Sequence, residues 1–198
     1  MTAGRKRDAA LDQRLLATTW HVLCVDGYDA LTFSIVAARA RAHRTDVYRR
    51  WSSKAQLVTD AVLAHLPRIP EVDTGSLAGD LRAYAAALAG LWAGPWTGGL
   101  TGLVSDLRDD AEARAAFAKI AGRNERPLLD AIARAARRGE IDSVPALALI
   151  GHLVEGPLMH QRLFGGPALT DHDLDAIAAA AHRELTVPAS ALLPRSAG

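Results

Sequence analysis

Nearly every periodic segment of this chain repeats its apolar residues at steps of three and four, which is the spacing of an amphipathic α-helix. No stretch shows the strict alternation of apolar and polar residues that is typical of a half-buried strand. With 49% hydrophobic residues among 198, the chain can bury a sizeable core. The sequence therefore predicts an all-α globular protein whose function resides on helices and on the turns between them.

Turn residues and capping residues predict where the helices begin and end. Gly27 should stop the first helix, and the stretch 67–76, rich in proline and polar residues, is the expected linker. Thr170 should cap the last helix, with Asp173 as its capping-box partner, and the tail 187–198 should be frayed. The expected helices cover residues 9–25, 33–40, 44–51, 54–67, 77–92, 98–107, 110–121, 126–138, 144–164 and 170–185.

Charge is distributed unevenly along the chain. Residues 1–66 hold 10 Lys and Arg against 6 Asp and Glu, whereas residues 67–198 hold 13 against 16. A basic first third suits a polyanionic partner, although ordinary scatter of surface charge explains the numbers equally well. A single cysteine, Cys24, excludes an intrachain disulfide, and no apolar run reaches the length of a membrane span. We therefore expect a cytoplasmic protein with no membrane partner.

Two short predicted helices meet across a turn at residues 40–42 and suggest a helix-turn-helix. In such a motif the second helix lies in the major groove of DNA and presents its first side chains to base edges. Val47 and Trp51, four residues apart, should pack inward, while Lys54 opens the next helix and can bind a phosphate. The residues predicted to contact double-stranded DNA are Thr32, Arg41, His43, Arg44, Thr45, Asp46, Tyr48, Arg49, Arg50 and Lys54.

Some of these assignments have a plain structural alternative. Asp46 can accept a hydrogen bond from a cytosine amino group, or it can simply favour the first turn of its helix. Arg50 is either a phosphate contact or a solvated charge, and Tyr48 is either a DNA-facing group or a core aromatic. The sequence does not decide between these alternatives.

The same segment resembles a known family. The run GYDALTFSIVAARARAHRTDVYRRWSSKAQLV resembles the DNA-binding signature of the tetracycline-repressor (TetR) family of transcriptional regulators. A looser match, GPLMHQRLFGGPALTDHDLD, is similar to the C-terminal part of an actinobacterial branch of that family. The matched positions of the first run are Gly27, Tyr28, Thr32, Ala37, Tyr48, Arg49, Trp51, Ser53 and Lys54.

This resemblance implies an all-helical homodimer. A three-helix helix-turn-helix DNA-binding domain is expected at residues 1–55, and a helical effector-binding and dimerisation domain at residues 56–198. Arg41 stands where the family usually has the glycine of the turn, and a non-glycine residue there costs about 1 kcal/mol. His43 stands where Ser or Thr usually caps the recognition helix. We interpret both departures as variation in DNA specificity.

Bulky side chains set among alanines in the second domain suit a small apolar ligand, because ligand sites are mostly apolar with a few polar anchors. The resemblance implies a cavity among these helices, although each residue taken singly is more simply explained as core. The predicted ligand-binding residues are Tyr84, Leu88, Trp92, Trp96, Leu100, Leu103, Phe117, His152, Glu155 and Met159. The predicted dimer interface, on the last two helices, comprises Leu153, His160, Leu174, Ile177 and Ala181.

Three functions compete. The leading hypothesis is a repressor that a small hydrophobic or amphipathic effector releases from its operator, with a cationic amphiphile as one possible class. The alternative keeps the DNA-binding part and makes the second domain a dimerisation scaffold without an effector. An enzyme is disfavoured because the sequence has no nucleophile elbow, phosphate loop or His-x-x-x-His pair, and we expect no cofactor and no metal.

Overall fold

The computed structural model describes residues 8–141 and 147–187. Within them the chain is helical without a strand, so the predicted all-α class is confirmed, and no helix has the length and apolarity to cross a membrane. The predicted helix start at 144–146 and the predicted frayed tail from 188 onward lie outside the described residues. The helices of the described residues are α1 (Ala9–Ala30), α2 (Phe33–Arg39), α3 (Arg44–Tyr48), α4 (Lys54–His65), α5 (Leu77–Trp92), a 3-10 helix (Pro95–Gly99), α6 (Leu100–Leu107), α7 (Ala111–Arg138), α8 (Leu147–Phe164) and α9 (Asp171–Thr186).

Local capping residues set several helix starts where the sequence predicts them. The hydroxyl of Thr32 accepts a hydrogen bond from the N–H of Ile35 at 3.2 Å and starts α2. At the start of α9, Thr170 and Asp173 form the expected reciprocal capping box. Gly27 has a φ of 83°, so the helical backbone is interrupted at the predicted stop even though α1 resumes beyond it.

One predicted interruption is absent. The sequence predicts separate helices over 110–121 and 126–138, but α7 continues through Pro127 as a single helix. Proline removes one helical hydrogen bond, which is why a break is expected there. Burial of Leu128 and Ile132 in the following turns offsets that loss, so the prediction of two helices is wrong.

The described residues fold as two compact units, of which the first contains residues 8–67 and 94–122. Its core lies where α1 packs on α4 and buries Leu15 completely. The 3-10 helix approaches α1 so closely that a side chain in place of Gly99 would clash with Leu23. Because α2 contacts both α1 and α3, this core supports the two short helices of the predicted helix-turn-helix.

The second unit contains residues 68–93 and the described residues of 123–187. In it α5 packs against both α8 and α9. Asp80 of α5 has a side chain that is 0% exposed, and its Oδ1 accepts from the N–H of Thr74 at 2.6 Å. Its Oδ2 lies 3.5 Å from a guanidinium nitrogen of Arg134 in α7. A buried carboxylate of this kind is tolerated only when it is paired, so this cluster has a structural role.

Candidate nucleic-acid interface

The turn between α2 and α3 is held by backbone carbonyls. Arg41 has a φ of 51° and is, in the described part of the chain, the one non-glycine residue with a positive φ. The N–H of Ala42 donates to the carbonyl of Ala37 at 2.9 Å, and Arg14 of α1 donates to the carbonyl of Ala40 at 2.9 Å. The turn therefore has the left-handed geometry that glycine normally supplies, although arginine adopts it.

Helix α3 is shorter than predicted and begins without a side-chain cap. His43, at the capping position, makes no side-chain hydrogen bond to the first turn. The helix ends at Tyr48, but the N–H of Trp51 still donates to the carbonyl of Val47 at 3.0 Å. Val47 and Trp51 are both buried, which confirms the predicted inward face of this segment.

The outward face of α3 presents Arg44, Thr45, Tyr48 and Arg49, all of them exposed. Arg44 donates to the hydroxyl of Tyr48 at 2.7 Å, and its guanidinium carbon lies 5.2 Å from the centre of the tyrosine ring. The Tyr48 ring meets Phe33 of α2 edge-on, with the ring centres 4.8 Å apart. Tyr48 is 52% exposed, so the core alternative does not hold for it.

Arg50 has a different position from the one that the sequence predicts. Its side chain is 4% exposed, forms an ion pair with Asp12 of α1 and donates to the carbonyl of Asp46 at 2.9 Å. A side chain buried in this way is neither a phosphate contact nor a solvated charge, so we correct Arg50 to a residue that joins α1 to α3. Asp46 accepts in turn from Arg49 at 2.6 Å. No pattern in the sequence predicts the pairing of Arg50 with Asp12, because the two residues are 38 positions apart.

Lys54 opens α4 at the edge of an acidic cleft. Its Nζ lies 3.9 Å from the ring centre of Tyr28, whose hydroxyl donates to Asp106 at 2.5 Å. Burial, followed by the hydrogen bond to Asp106, raises the pKa of Tyr28 and keeps its hydroxyl a donor. Lys54 and four acidic residues line the same cleft, so these carboxylates oppose the attraction of Lys54 for a phosphate. The cleft has a volume of about 510 Å³ and is lined by Ser52, Ser53, Lys54, Ala55, Gln56, Asp106, Asp109, Asp110, Ala111 and Glu112.

Asp110 joins the starts of two helices, which sequence reasoning missed. Its carboxylate accepts from the N–H of Ala113 at 2.9 Å and so caps α7. It also accepts from the hydroxyl of Ser53, which caps α4 by accepting from the N–H of Gln56 at 3.0 Å. The Ala113 N–H, followed by the Ser53 hydroxyl, lowers the pKa of Asp110. An aspartate before a helical segment was a readable capping signal, whereas its link to Ser53 was not.

The predicted ligand-binding residues do not belong to one unit. Four of them lie in the first unit: Trp96, Leu100, Leu103 and Phe117. The other six lie in the second unit, where three share a buried face of α5: Tyr84, Leu88 and Trp92. His152 and Met159 are exposed on α8, whereas Glu155 is half-buried.

Glu155 meets the buried face of α5. The indole N–H of Trp92 donates to its carboxylate at 3.1 Å, and the hydroxyl of Tyr84 donates to the carbonyl of Asn124 at 3.2 Å. Burial raises the pKa of Glu155. The hydrogen bond from Trp92 opposes this change, the nearby Glu125 raises the pKa further, and His152 lowers it. Burial, then Glu155 and Glu125, also raise the pKa of Tyr84. Across the described residues, neither glutamate forms an ion pair with Lys or Arg.

The predicted interface residues separate into an exposed and a buried group. Leu153 and His160 are exposed on α8, and Ile177 is half-buried on α9. Leu174 and Ala181 are buried where α9 packs on α5 and α8, so their assignment to a dimer interface is corrected. An apolar stripe shows that a helix face is covered, but it does not show whether the cover comes from the same chain.

Two family models match the chain. Residues 15–61 match the model described as bacterial regulatory proteins, tetR family. Residues 71–181, which make up more than half of the chain, match the model described as tetracyclin repressor-like, C-terminal domain.

Relatives over most of the chain agree with these matches. The chain is 34% identical to the "DNA-binding transcriptional repressor TetR" of Mycobacteroides abscessus, over 83% of this chain and 86% of that protein. It is 26% identical to the uncharacterized HTH-type transcriptional regulator YdeS of Bacillus subtilis, over 85% of this chain and 86% of that protein. The crystal structure of the TetR family transcription regulator SCO0332 has the same fold, with a TM-score of 0.67 at 23% identity, covering 90% of this chain and 99% of that one.

Proposed function

The chain belongs to the tetracycline-repressor (TetR) family of DNA-binding transcriptional regulators, which are not enzymes, and from this premise we propose that it is a cytoplasmic, homodimeric repressor released from its operator by a small amphipathic effector. Binding of an effector can shift such an equilibrium only if the effector binds the released state more tightly than the DNA-bound state.

The exposed face of α3 is the observation that carries the DNA-binding part of the proposal. Arginine can bond bidentately to guanine, which is the commonest specific contact in the major groove, and hydroxyl groups contact bases or phosphates. Arg50 is left out because it is buried. We assign the base-reading face to Arg44, Thr45, Tyr48 and Arg49, with Thr32, Arg41, His43 and Lys54 at its margin.

Selection of binding sequences from a pool of random DNA duplexes tests this assignment. A two-fold dimer should enrich a site with two symmetric halves. Lys54→Ala should weaken binding to all sequences similarly and lower the slope of log affinity against log salt by about 0.9, as expected for one lost phosphate contact. If the unmodified protein enriches no sequence, the DNA-binding proposal fails.

The cluster around Glu155 supports an effector with an apolar body and a cationic group. Tyr84 and Trp92 supply buried aromatic surface, and Glu155 and Glu125 are carboxylates without a Lys or Arg partner among the described residues. A partly desolvated carboxylate is stabilised by a cation, and aromatic rings attract cations through their faces. Phosphorylated ligands are disfavoured at this cluster, since two carboxylates would repel them.

A thermal-shift screen tests the effector class with three probes: tetraphenylphosphonium, benzoate and glucose 6-phosphate. We expect the hydrophobic cation to stabilise the protein, by about 2.7 kcal/mol at a hundredfold excess over its dissociation constant. Glu155→Gln should weaken this response, and Arg183→Gln, an exposed change on α9, should not. Stabilisation by glucose 6-phosphate alone contradicts the proposed class. The absence of any response, or of any effect of a bound probe on DNA affinity, favours a dimerisation scaffold without an effector.

An exposed stripe of leucine and aromatic side chains on α8 supports the homodimer. The stripe consists of exposed residues that lie on one face of the helix, spaced by about one or two helical turns: Leu149, Leu153, His160 and Phe164. Phe164 is 77% exposed. The rings of His160 and Phe164 lie 5.1 Å apart between centres. A second copy related by two-fold symmetry would cover this stripe with the same stripe of its own.

Analytical ultracentrifugation tests the dimer with Leu153→Arg. A charge buried without a partner in an apolar interface is strongly unfavourable, so this variant should sediment as a monomer. The matched control is Ala86→Arg, which places the same side chain at an exposed position of α5. If Leu153→Arg remains dimeric, the interface lies elsewhere.

A further inference from the structure

Four side chains of alternating charge, here called the charge row, connect α1 to the outward face of α3. Asp12 pairs with Arg50, whose Nη1 lies 3.7 Å from the Asp46 carboxylate, and Asp46 pairs with Arg49 at 2.6 Å. The exposed fraction of the side chains rises along the way, from 4% for Arg50 through 19% for Asp46 to 65% for Arg49. The charge row therefore connects a buried anchor, Arg50, to an exposed cation of the proposed reading face, Arg49.

We propose that Asp46 is a positioning residue that sets the base preference of Arg49. The inference rests on the proposed DNA-binding function and names the group that makes its sequence recognition selective. Asp46 accepts from one terminal nitrogen of the Arg49 guanidinium, which restricts the orientation of the group and leaves its other donors available for a base. Guanine presents two acceptors, O6 and N7, that match two donors of one guanidinium plane.

The stability of the fold does not explain the contact between Asp46 and Arg49. Arg49 is mostly exposed, and an exposed ion pair within one helix contributes little to the free energy of folding. Holding an arginine in its bound orientation instead reduces the side-chain entropy that is lost when it meets a base. The preference for guanine should therefore depend on Asp46, although Asp46 itself is partly covered.

Arg44 offers a comparison on the same helix. Its partner is the hydroxyl of Tyr48, which carries no charge and is 52% exposed. No ion pair links Arg44 to α1 within the described residues. If the charge row positions Arg49, the loss of Asp46 should weaken the base preference at the position that Arg49 contacts. The base preference at the position that Arg44 contacts should stay unchanged.

Selection from random duplexes by the full-length protein tests this inference, with Asp46→Ala, Asp46→Asn, Arg49→Ala and Arg44→Ala beside the unmodified chain. The unmodified chain should prefer guanine about fivefold or more at one position of each half-site, and Arg49→Ala should abolish that preference. Asp46→Ala should reduce it at that position only. Asp46→Asn should reduce it less, because the amide oxygen still accepts from Arg49. Arg44→Ala should leave that position unchanged.

Circular dichroism melting of the same variants separates positioning from folding. Unchanged melting temperatures with a preference lost at one position support the inference, since a merely structural role would weaken preference at every position. An unchanged guanine preference in Asp46→Ala, an equal loss at all positions, or a guanine preference that survives Arg49→Ala overturns it. Specific binding that survives these failures leaves the proposed function standing, whereas absence of selection by the unmodified chain removes both.

Discussion

The two compact units use charge in opposite ways. In the first, cations stand on the outward face of α3 and are held by partners at or near the surface, as Arg44 is by Tyr48 and Arg49 by Asp46. In the second unit, carboxylates are buried or partly buried. Asp80 is fully buried beside two arginines, and Glu155 is half-buried against Trp92. Exposed cations are needed to bind a polyanion such as DNA. A small ligand instead binds in a mostly apolar pocket with a few polar groups.

This difference predicts that substitutions on the outward face of α3 in the first unit change DNA binding without changing stability. Substitutions of the buried charges in the second unit should change stability. Arg44 and Arg49 are exposed, so substitution of either arginine should have little effect on folding and report on DNA alone. Removing one partner of a buried charge pair leaves the other charge buried and unpaired, so substitution of the buried charges in the second unit should lower the free energy of unfolding.

The largest expected effect is that of Asp80→Ala. It removes the buried carboxylate that Arg134 and Arg138 share and leaves the N–H of Thr74 without its acceptor. Breaking a buried pair in this way costs about 3–5 kcal/mol, which urea unfolding followed by circular dichroism would measure. The control Asp175→Ala removes an exposed partner of Arg82 and should cost about 0–1 kcal/mol. Equal losses in the two variants would contradict the contrast between buried and exposed charge.

Arg41→Gly should have a smaller effect of opposite sign. Arg41 has a left-handed backbone with a φ of 51°, which costs a non-glycine residue about 1 kcal/mol. Glycine removes that strain but adds freedom to the unfolded chain, so a gain of at most about 1 kcal/mol is expected in the same urea experiment. A clear loss of stability would mean that the Arg41 side chain itself holds the turn.

Glu155→Gln should change how stability depends on pH, by an amount limited because the carboxylate is only half-buried. Burial above all raises the pKa of Glu155 from its ordinary 4.5, so the folded chain keeps this proton to a higher pH than the unfolded chain. The stability from protonated Glu155 is complete below about pH 4.5 and is lost as pH rises through the raised pKa. Relative to the parent, the glutamine variant should therefore gain stability between pH 4.5 and pH 7. A constant difference across this range would show that Glu155 is not desolvated.

Signals within a few residues predicted the helix starts and the fold class well. Thr32 and Thr170 cap their helices through partners three positions away, and the sequence contains both members of each pair. The inward placement of Val47 and Trp51 follows from helical spacing in the same way. The linker also begins and ends near its predicted bounds, since α4 ends at His65 and α5 begins at Leu77.

The site assignments that the structure corrects depend on contacts between residues that are distant in the sequence. Arg50 is buried because α1 places Asp12 beside it, and Leu174 is buried because α5 and α8 cover α9. Helical spacing fixes which residues share a face, but it does not name the element that covers the face. The same limit applies to the acidic cleft around Lys54, whose carboxylates come from α6, the turn that follows it and the start of α7.

Fluorescence anisotropy with Arg49→Ala is the most direct measurement of whether the outward face of α3 recognises DNA. The duplexes are the sequence selected by the unmodified protein and a scrambled duplex of the same composition, each titrated at several salt concentrations. We expect Arg49→Ala to lose about 1–3 kcal/mol of binding free energy on the selected duplex and little on the scrambled one. Unchanged discrimination between the two duplexes in Arg49→Ala would contradict the assignment of this face.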